Sequence, residues 1–288
     1  MLKIAHISDL HLFVPTFEIA DFFSKRLLGQ LNYFLKRKAH FEGEQLFKLK
    51  ALFQSQNIEY VFVSGDLSST SLEAEFKLAR NLFKEMEQVG IKCFFVPGNH
   101  DHYTKEAQNK KLFYQYFANH NPHKLLSLKE EGVEAHLLKE GVWYLGLDTS
   151  LPTGLLSSHG LFSCQLEKNL KNLLIQIPSS DKIIMVNHFP FLDITSSRKT
   201  LRRKEALAAI LKKQKHPEVI LYLHGHTHEH AIEDHRQDHL PIVLDSGSSA
   251  LNTIGRLNLL SLEDKKLEVK VFEFKDEWKE LETQSFEL

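Results

Sequence analysis

The feature that most constrains this chain is a recurrence: short apolar runs that each close on a cluster of Gly, Asp, Asn or His. They are Lys3–Ile7, Tyr60–Val63, Lys92–Val96, Val142–Leu147, Ile183–Val186 and Val219–Leu223. Runs this short, rich in Val, Ile and Phe and bounded by turn residues, predict buried strands rather than pieces of helix. Helical patterns lie between several of them. Ser71–Val89 repeats apolar Leu72, Phe76, Ala79, Leu82, Phe83 and Met86 at helical spacing, and Gln165–Ile175 is a second such stretch. Strand alternating with helix predicts a mostly parallel sheet. Beyond Gly225 the pattern changes to strands separated by turns: Glu229–Glu233, Ile242–Leu244, Leu257–Leu262 and Leu267–Phe274. These predict a second, more antiparallel sheet. Two mixed β-sheets packed face to face with helices outside, a four-layer αββα sandwich of the α/β class, would bury both sets of strands in one core. A chain of 288 residues can bury such a core, and no Gly/Ser/Pro-rich linker, repeat or low-complexity tract divides it. One domain, 1–288, is expected.

Composition narrows the function classes. With 42% hydrophobic and 25% charged residues, the chain has the make-up of an ordinary soluble protein. Lys+Arg 36 against Asp+Glu 37 leaves no global field to draw it to nucleic acid, so an anion-binding site must be local. Cys93 and Cys164 are too few for a disulfide framework and fit a reducing cytoplasm. Met1–Ile7 reads directly as a strand, leaving no room for a signal peptide, and no apolar run approaches the ~18 residues of a membrane span.

The clusters that end the runs carry the chemistry. They are Asp9 and His11, Asp66, Asn99 with His100 and Asp101, His188, and His226 and His228. Every one follows a predicted strand, at the edge where open α/β sheets bind ligands. If the chain stays extended through Asp9-x-His11 and His226-x-His228, alternation sends both side chains of each pair to one face. Taken singly each has an ordinary explanation: Asp-x-His is more often a hydrogen-bonded pair, Gly-Asp a turn, and a lone His a satisfied core residue. Five clusters in order at strand ends are much harder to explain that way, and 17 histidines are many for this length. Carboxylate, amide oxygen and imidazole without thiolate suit Mn²⁺, the first choice here, or Fe²⁺, Zn²⁺ or Mg²⁺. Seven ligands, Asp9, His11, Asp66, Asn99, His188, His226 and His228, exceed one ion's needs, so two ions sharing a bridging carboxylate are expected. Such a pair, about 3.5–4 Å apart, would hold a bridging hydroxide for in-line attack on phosphorus. His100, beside a ligand and not needed as one, is the candidate proton donor to the leaving group.

Asp9-x-His11, Gly65-Asp66, Gly98-Asn99-His100-Asp101, Asn187-His188 and Gly225-His226-x-His228 resemble the five-block signature of the calcineurin-like metallophosphoesterases. The blocks span most of the chain. The resemblance implies a fold of two central sheets flanked by helices, with one metal on Asp9, His11 and His228 and the other on Asn99, His188 and His226. It implies Asp66 as the bridge, His100 as phosphate contact or acid, and Asp101 orienting the ring of His100.

The substrate depends on residues outside these blocks. Glu18–Lys38, within a helical insertion or cap expected at about 14–57, has apolar Ala20, Phe23, Leu27, Leu31, Phe34 and Leu35 on one broad face. Basic Lys25, Arg26, Lys36, Arg37 and Lys38 lie mostly elsewhere. A helix of this kind rests on a membrane surface or grips an acyl chain, or else packs on the protein's own core. The run Arg198, Lys199, Arg202, Arg203 and Lys204 is a solvated helix face or a phosphate grip, with Arg198, Arg202 and Arg203 as the substrate contacts. Together the two features resemble what a lipid-linked diphosphate requires, as in the superfamily branch that hydrolyses UDP-2,3-diacylglucosamine in lipid A synthesis. That reading expects peripheral contact with the inner membrane face. A soluble cyclic-nucleotide phosphodiesterase is the alternative. A non-catalytic protein-binding scaffold is the third reading, which the full set of expected ligands disfavours.

Overall fold

The computed structural model describes residues 1–16, 26, 44–119, 124–154, 157–192, 199–214, 216–251 and 255–288. In chain order its strands are β1 (Leu2–Ile7), β2 (Tyr60–Val63), β3 (Lys92–Phe95), β4 (Lys124–Leu125), β5 (Val133–Lys139), β6 (Val142–Leu147), β7 (Gly160–Leu161) and β8 (Lys182–Val186). There follow β9 (Leu201–Arg202), β10 (Glu218–His224), β11 (His230–Asp234), β12 (Ile242–Ser246), β13 (Gly255–Leu262), β14 (Lys266–Phe274) and β15 (Trp278–Glu287). The longer helices are α1 (Glu44–Ser55), α2 (Glu73–Glu87), α3 (Cys164–Leu174) and α4 (Lys204–Lys213).

Two mixed sheets form the body, in the orders β15-β14-β13-β1-β2-β3 and β11-β12-β10-β8-β6-β5-β4, with β7 and β9 as a separate small pair. The αββα class expected from the strand and helix pattern is present. The division of strands between the sheets is different from the one expected. The strands after Gly225 do not make a sheet of their own: β11 and β12 extend the second sheet, and β13–β15 extend the first. Open edges explain this. β1 pairs in parallel with β2 on one side, and its other edge would leave bare backbone in the core. β13 closes it antiparallel, from Leu2 opposite Leu262 to His6 opposite Asn258. β12 likewise closes the free edge of β10 in parallel, from Leu221 beside Ile242 to His224 beside Asp245. β15, at the edge of the first sheet, carries Lys279, Glu280, Glu282 and Glu287, the composition of a protected edge.

Alternation along β8 shows how the layers are filled. Ile184 and Val186 join the core between the sheets, whereas Ile183 and Met185 join the cluster holding Leu166, Leu170 and Leu173 of α3 and Leu207 of α4. On the first sheet α2 buries Phe76, Ala79, Phe83 and Met86, and the Phe83 ring meets Phe95 edge-on at 4.8 Å. Each fully buried ring or aliphatic chain contributes about 1.5–3 kcal/mol. α1, which lies inside the expected insertion, buries Leu46, Leu49 and Phe53, and its Gln45 carbonyl accepts from Trp278 Nε1 at 3.0 Å. It is therefore packed on the body. The Glu18–Lys38 segment lies outside the described residues apart from Arg26, whose guanidinium donates to the carbonyls of Thr70 (3.3 Å) and Ser71 (3.2 Å).

β1, β2 and β3 run parallel, as do β6, β8, β10 and β12. Their carboxyl ends bring the motif loops to one edge of the sandwich. There the loops are tied together: Asp9 N–H donates to the Gly65 carbonyl (3.0 Å), Ser249 N–H to that of Ser8 (3.0 Å) and Gly225 N–H to that of His188 (3.2 Å).

Candidate metal centre

The first loop follows β1 as Ser8-Asp9-Leu10-His11. Asp9 is buried, and its Oδ2 is satisfied by Ser8 Oγ (2.6 Å) and by the backbone N–H of His226 (2.9 Å), which links the two sheets. Its Oδ1 has no hydrogen-bond partner and faces His228 Nε2 at 3.0 Å and His11 Nε2 at 3.5 Å. Asp66, after β2, is divided in the same way. Oδ1 accepts the backbone N–H of His100 at 2.7 Å, while Oδ2 lies 3.8 Å from His11 Nε2 and 3.4 Å from His188 Nε2. His188 Nε2 in turn stands 3.2 Å from Asn99 Oδ1 and 3.2 Å from His226 Nδ1.

Backbone carbonyls set the tautomers. His188 Nδ1 meets the Ser64 carbonyl at 2.8 Å, His100 Nδ1 that of Ser69 at 2.6 Å, and His226 Nε2 that of Lys199 at 3.0 Å. A carbonyl only accepts, so each of these nitrogens carries a proton, and the other nitrogen of His188 and His226 is the one turned to the centre, where a cation would take the place of any proton on it. Ring nitrogens and carboxylate oxygens thus converge. His11 Nε2 and His228 Nε2, 3.0 Å apart beside Asp9 Oδ1, do the same. Such a donor set fits a cation.

Three overlapping groups could each hold an ion: Asp9, His11 and His228; His11, Asp66 and His100; and Asp9, Asp66 and His188. Electrostatics agree with that arrangement. Burial would raise the Asp9 and Asp66 carboxyls, but the imidazoles of His228 and His11 hold Asp9 well below the ordinary range, and those of His188 and His100 do the same for Asp66. Burial would lower His188, yet Asp66 and Asp9 raise it to about 9, a sign that this enclosed spot calls for positive charge. His226, with burial and the His188 charge acting together, falls to about 3 and stays neutral.

The local backbone is not the one expected from the sequence. Asp9 (φ 55°), His11 (φ 44°), Asp66 (φ 54°), His226 (φ 73°) and His228 (φ 61°) all sit in the left-handed region, so neither x-spaced pair is extended. Their side chains converge through tight turns. Conformations of this kind cost about 1–3 kcal/mol per residue and persist where surrounding contacts enforce them.

Asp101 also acts in an unexpected place. Its carboxylate accepts the backbone N–H groups of Leu67 (3.2 Å), Ser68 (2.9 Å) and Gly98 (2.9 Å) and the Ser68 hydroxyl (3.1 Å), while the carbonyl of Ser69 meets the His100 ring. It braces the loops on either side of the centre. Of the expected phosphate contacts, Arg198 lies outside the described residues, and Arg202 is exposed in β9. Arg203 donates to the Phe162 carbonyl (2.9 Å) and pairs with Glu167 (2.6 Å). Residues that the motif reading missed are Ser8, the carbonyls of Ser64, Ser69 and Lys199, and Thr227 with Asp245. Only Asp245 carried a signal, because Leu244-Asp245-Ser246-Gly247 closes a strand as the other clusters do.

Residues 2–230 match the family model of the calcineurin-like phosphoesterases. The chain belongs to this family. No curated protein sequence matches it. Among solved structures, this calcineurin-like phosphoesterase is similar to a dimetal phosphatase from Danio rerio, with TM-score 0.68, 12% identity and coverage of 99% of this chain and 98% of that one. It is also similar to the purple acid phosphatase PPD1 from yellow lupin seeds, with TM-score 0.63, 10% identity and coverage of 99% and 53%. At these identities the likeness is one of fold. The family and the buried His/Asp groups together make the chain a metallophosphoesterase. Among the described residues no helix is long and apolar enough to cross a membrane.

Proposed function

We propose that the chain hydrolyses a phosphodiester or pyrophosphate bond at a two-metal centre. Asp9, His11 and His228 would hold one divalent ion, Asn99, His188 and His226 the other, and Asp66 would be shared between them. The observation that carries this reading is the position of Asp66 Oδ2, 3.8 Å from His11 Nε2 and 3.4 Å from His188 Nε2, so that one oxygen belongs to both groups. Two divalent ions there, Mn²⁺ first, would supply an activated water and positive charge for the phosphoryl oxygens. The protein's own part is proton delivery and alignment. His100, with Nδ1–H on Ser69, gives the Nε2 proton of its imidazolium to the leaving oxygen and is left neutral in the same orientation.

Within this class the proposed substrate is a lipid-linked nucleotide diphosphate of the UDP-2,3-diacylglucosamine type. Support comes from the apolar and basic pattern of Glu18–Lys38 and from exposed Lys199 and Arg202, Lys199 being the residue whose carbonyl holds His226. A soluble cyclic nucleotide is the second reading. The engagement of Arg203 with Glu167 favours it, because that pairing removes one cation from the diphosphate grip. The test is turnover by Mn²⁺-reconstituted protein of UDP-diacylglucosamine, cAMP and a nitrophenyl phosphodiester, with and without detergent micelles. Selective cleavage of the lipid nucleotide supports the first reading, and cleavage of soluble esters alone the second. No turnover of any ester with two ions bound would end the hydrolase proposal.

A further inference from the structure

We infer that Asp245 is a positioning residue for the His226–His228 turn, acting through the hydroxyl of Thr227. The inference rests on the two-metal reading proposed above and assigns work to two side chains outside the ligand set. Asp245 lies near the end of β12, beside His224 of β10 in the parallel register, and is buried. Its Oδ2 accepts from Thr227 Oγ1 at 2.6 Å, and its Oδ1 accepts the Gly247 N–H at 2.8 Å. Thr227 Oγ1 itself accepts the N–H of Glu229 at 3.0 Å. A continuous string therefore runs from the backbone after His228, through the threonine hydroxyl, to a side-chain carboxyl anchored in the sheet.

The turn needs such an anchor. His226 and His228, on either side of Thr227, are both left-handed, which non-glycine residues adopt only under external constraint. The two histidines are not equally secured. His226 is buried, its ring is held by the Lys199 carbonyl and its N–H by Asp9. His228 has a side chain 29% exposed and faces the cluster through Nε2, with Asp9 Oδ1 at 3.0 Å. The constraint supplied by Asp245 and Thr227 therefore falls mainly on His228 and on the ion shared with Asp9 and His11. The geometry does not require Asp245 to approach either ion.

Titration of metal-free protein with Mn²⁺, followed by calorimetry, tests this without relying on turnover. Thr227→Val keeps the shape of a half-exposed side chain and removes the string. It is expected to weaken one of the two Mn²⁺ sites by about 10–100-fold, the range seen when a group supporting a metal ligand is lost. The other site and the metal-free Tm should stay as in the unsubstituted protein. Thr227→Ser should restore both sites, and Asp245→Ala, which leaves the threonine hydroxyl without its partner in the sheet, should reproduce the one-site loss. Two sites of undiminished affinity in Thr227→Val would overturn the positioning role. So would equal weakening of both sites together with a lowered metal-free Tm, since that pattern marks a general structural defect. Fewer than two Mn²⁺ on the unsubstituted protein would instead overturn the two-metal reading, so the two failures are distinguishable.

Discussion

The backbone N–H of His100 donates to Asp66 Oδ1 at 2.7 Å, so the carboxylate that faces both ligand groups also fixes the residue proposed as acid. One oxygen of Asp66 is spent on placing His100 and the other lies between His11 and His188. Asp66→Ala should therefore fail twice. With the shared anion gone, two cations would face each other unscreened, and at least one should leave. Metal analysis after extensive dialysis is expected to give no more than one ion per chain. Retention of two would show that Asp66 does not bridge them.

His100→Asn separates proton delivery from metal binding, because the backbone N–H to Asp66 survives the substitution. Both ions should remain. Turnover of esters with poor leaving groups should fall by about 10²–10⁴-fold, while nitrophenyl esters, whose leaving group needs no proton, should lose much less. Steady-state kinetics on a paired alkyl and nitrophenyl substrate checks this. Equal losses on both would assign His100 to binding the phosphate rather than to acid catalysis.

Much of this centre was legible because strand ends announce themselves. Gly65-Asp66 and Pro97-Gly98-Asn99 follow apolar runs directly, and the structure delivers both loops to the same edge as His188 and His226. The backbone conformation that makes the side chains converge was not legible. Asp9, His11, Asp66, His226 and His228 are left-handed without being glycine; Asp and His enter that region more readily than most residues, but residue type does not say which of them will when the constraint comes from loops far away in sequence, such as the Asp9 bond to His226 N–H. The partition of strands was hidden for a similar reason. Local periodicity identifies β13 as a strand but cannot say that it closes the edge of β1, which is a tertiary choice. Asp101 stands next to His100 in the motif, yet its bonds go to Leu67, Ser68 and Gly98.

Gly225 packs directly against the loop after β1, and a Cβ added there would overlap Ser8 Oγ and Asp9 Oδ2. Gly225→Ala should displace Asp9 and weaken binding of the ion it is proposed to hold. Overpacking of this kind costs about 1–3 kcal/mol, enough to lower Tm by several degrees. Gly154→Ala, where an added Cβ meets nothing within 4 Å, is the matched control and should change neither Tm nor metal content. Thermal melts with metal analysis compare the two. An unaffected Gly225→Ala would mean that the Ser8–Asp9 loop yields freely, contrary to its network of bonds.

Glu75 makes stability depend on pH away from the metal centre. It is buried at the start of α2, and its carboxyl takes the N–H groups of Thr70 (2.9 Å) and Leu72 (3.2 Å) and the Thr70 hydroxyl (3.0 Å). Burial outweighs these bonds and raises its pKa from 4.5 to about 7. The folded state then binds this proton more tightly than the unfolded chain does. The resulting stability is fully present below the unfolded value of 4.5 and is lost as pH rises through about 7, amounting to roughly 3 kcal/mol. Glu75→Gln removes the titration. Urea unfolding at pH 5 and pH 8 should show the unsubstituted protein losing up to that amount relative to the variant as pH rises, with the difference developing between the two pKa values. Parallel pH dependence in the two proteins would mean that the donors from Thr70 and Leu72 keep the buried carboxylate ionised throughout.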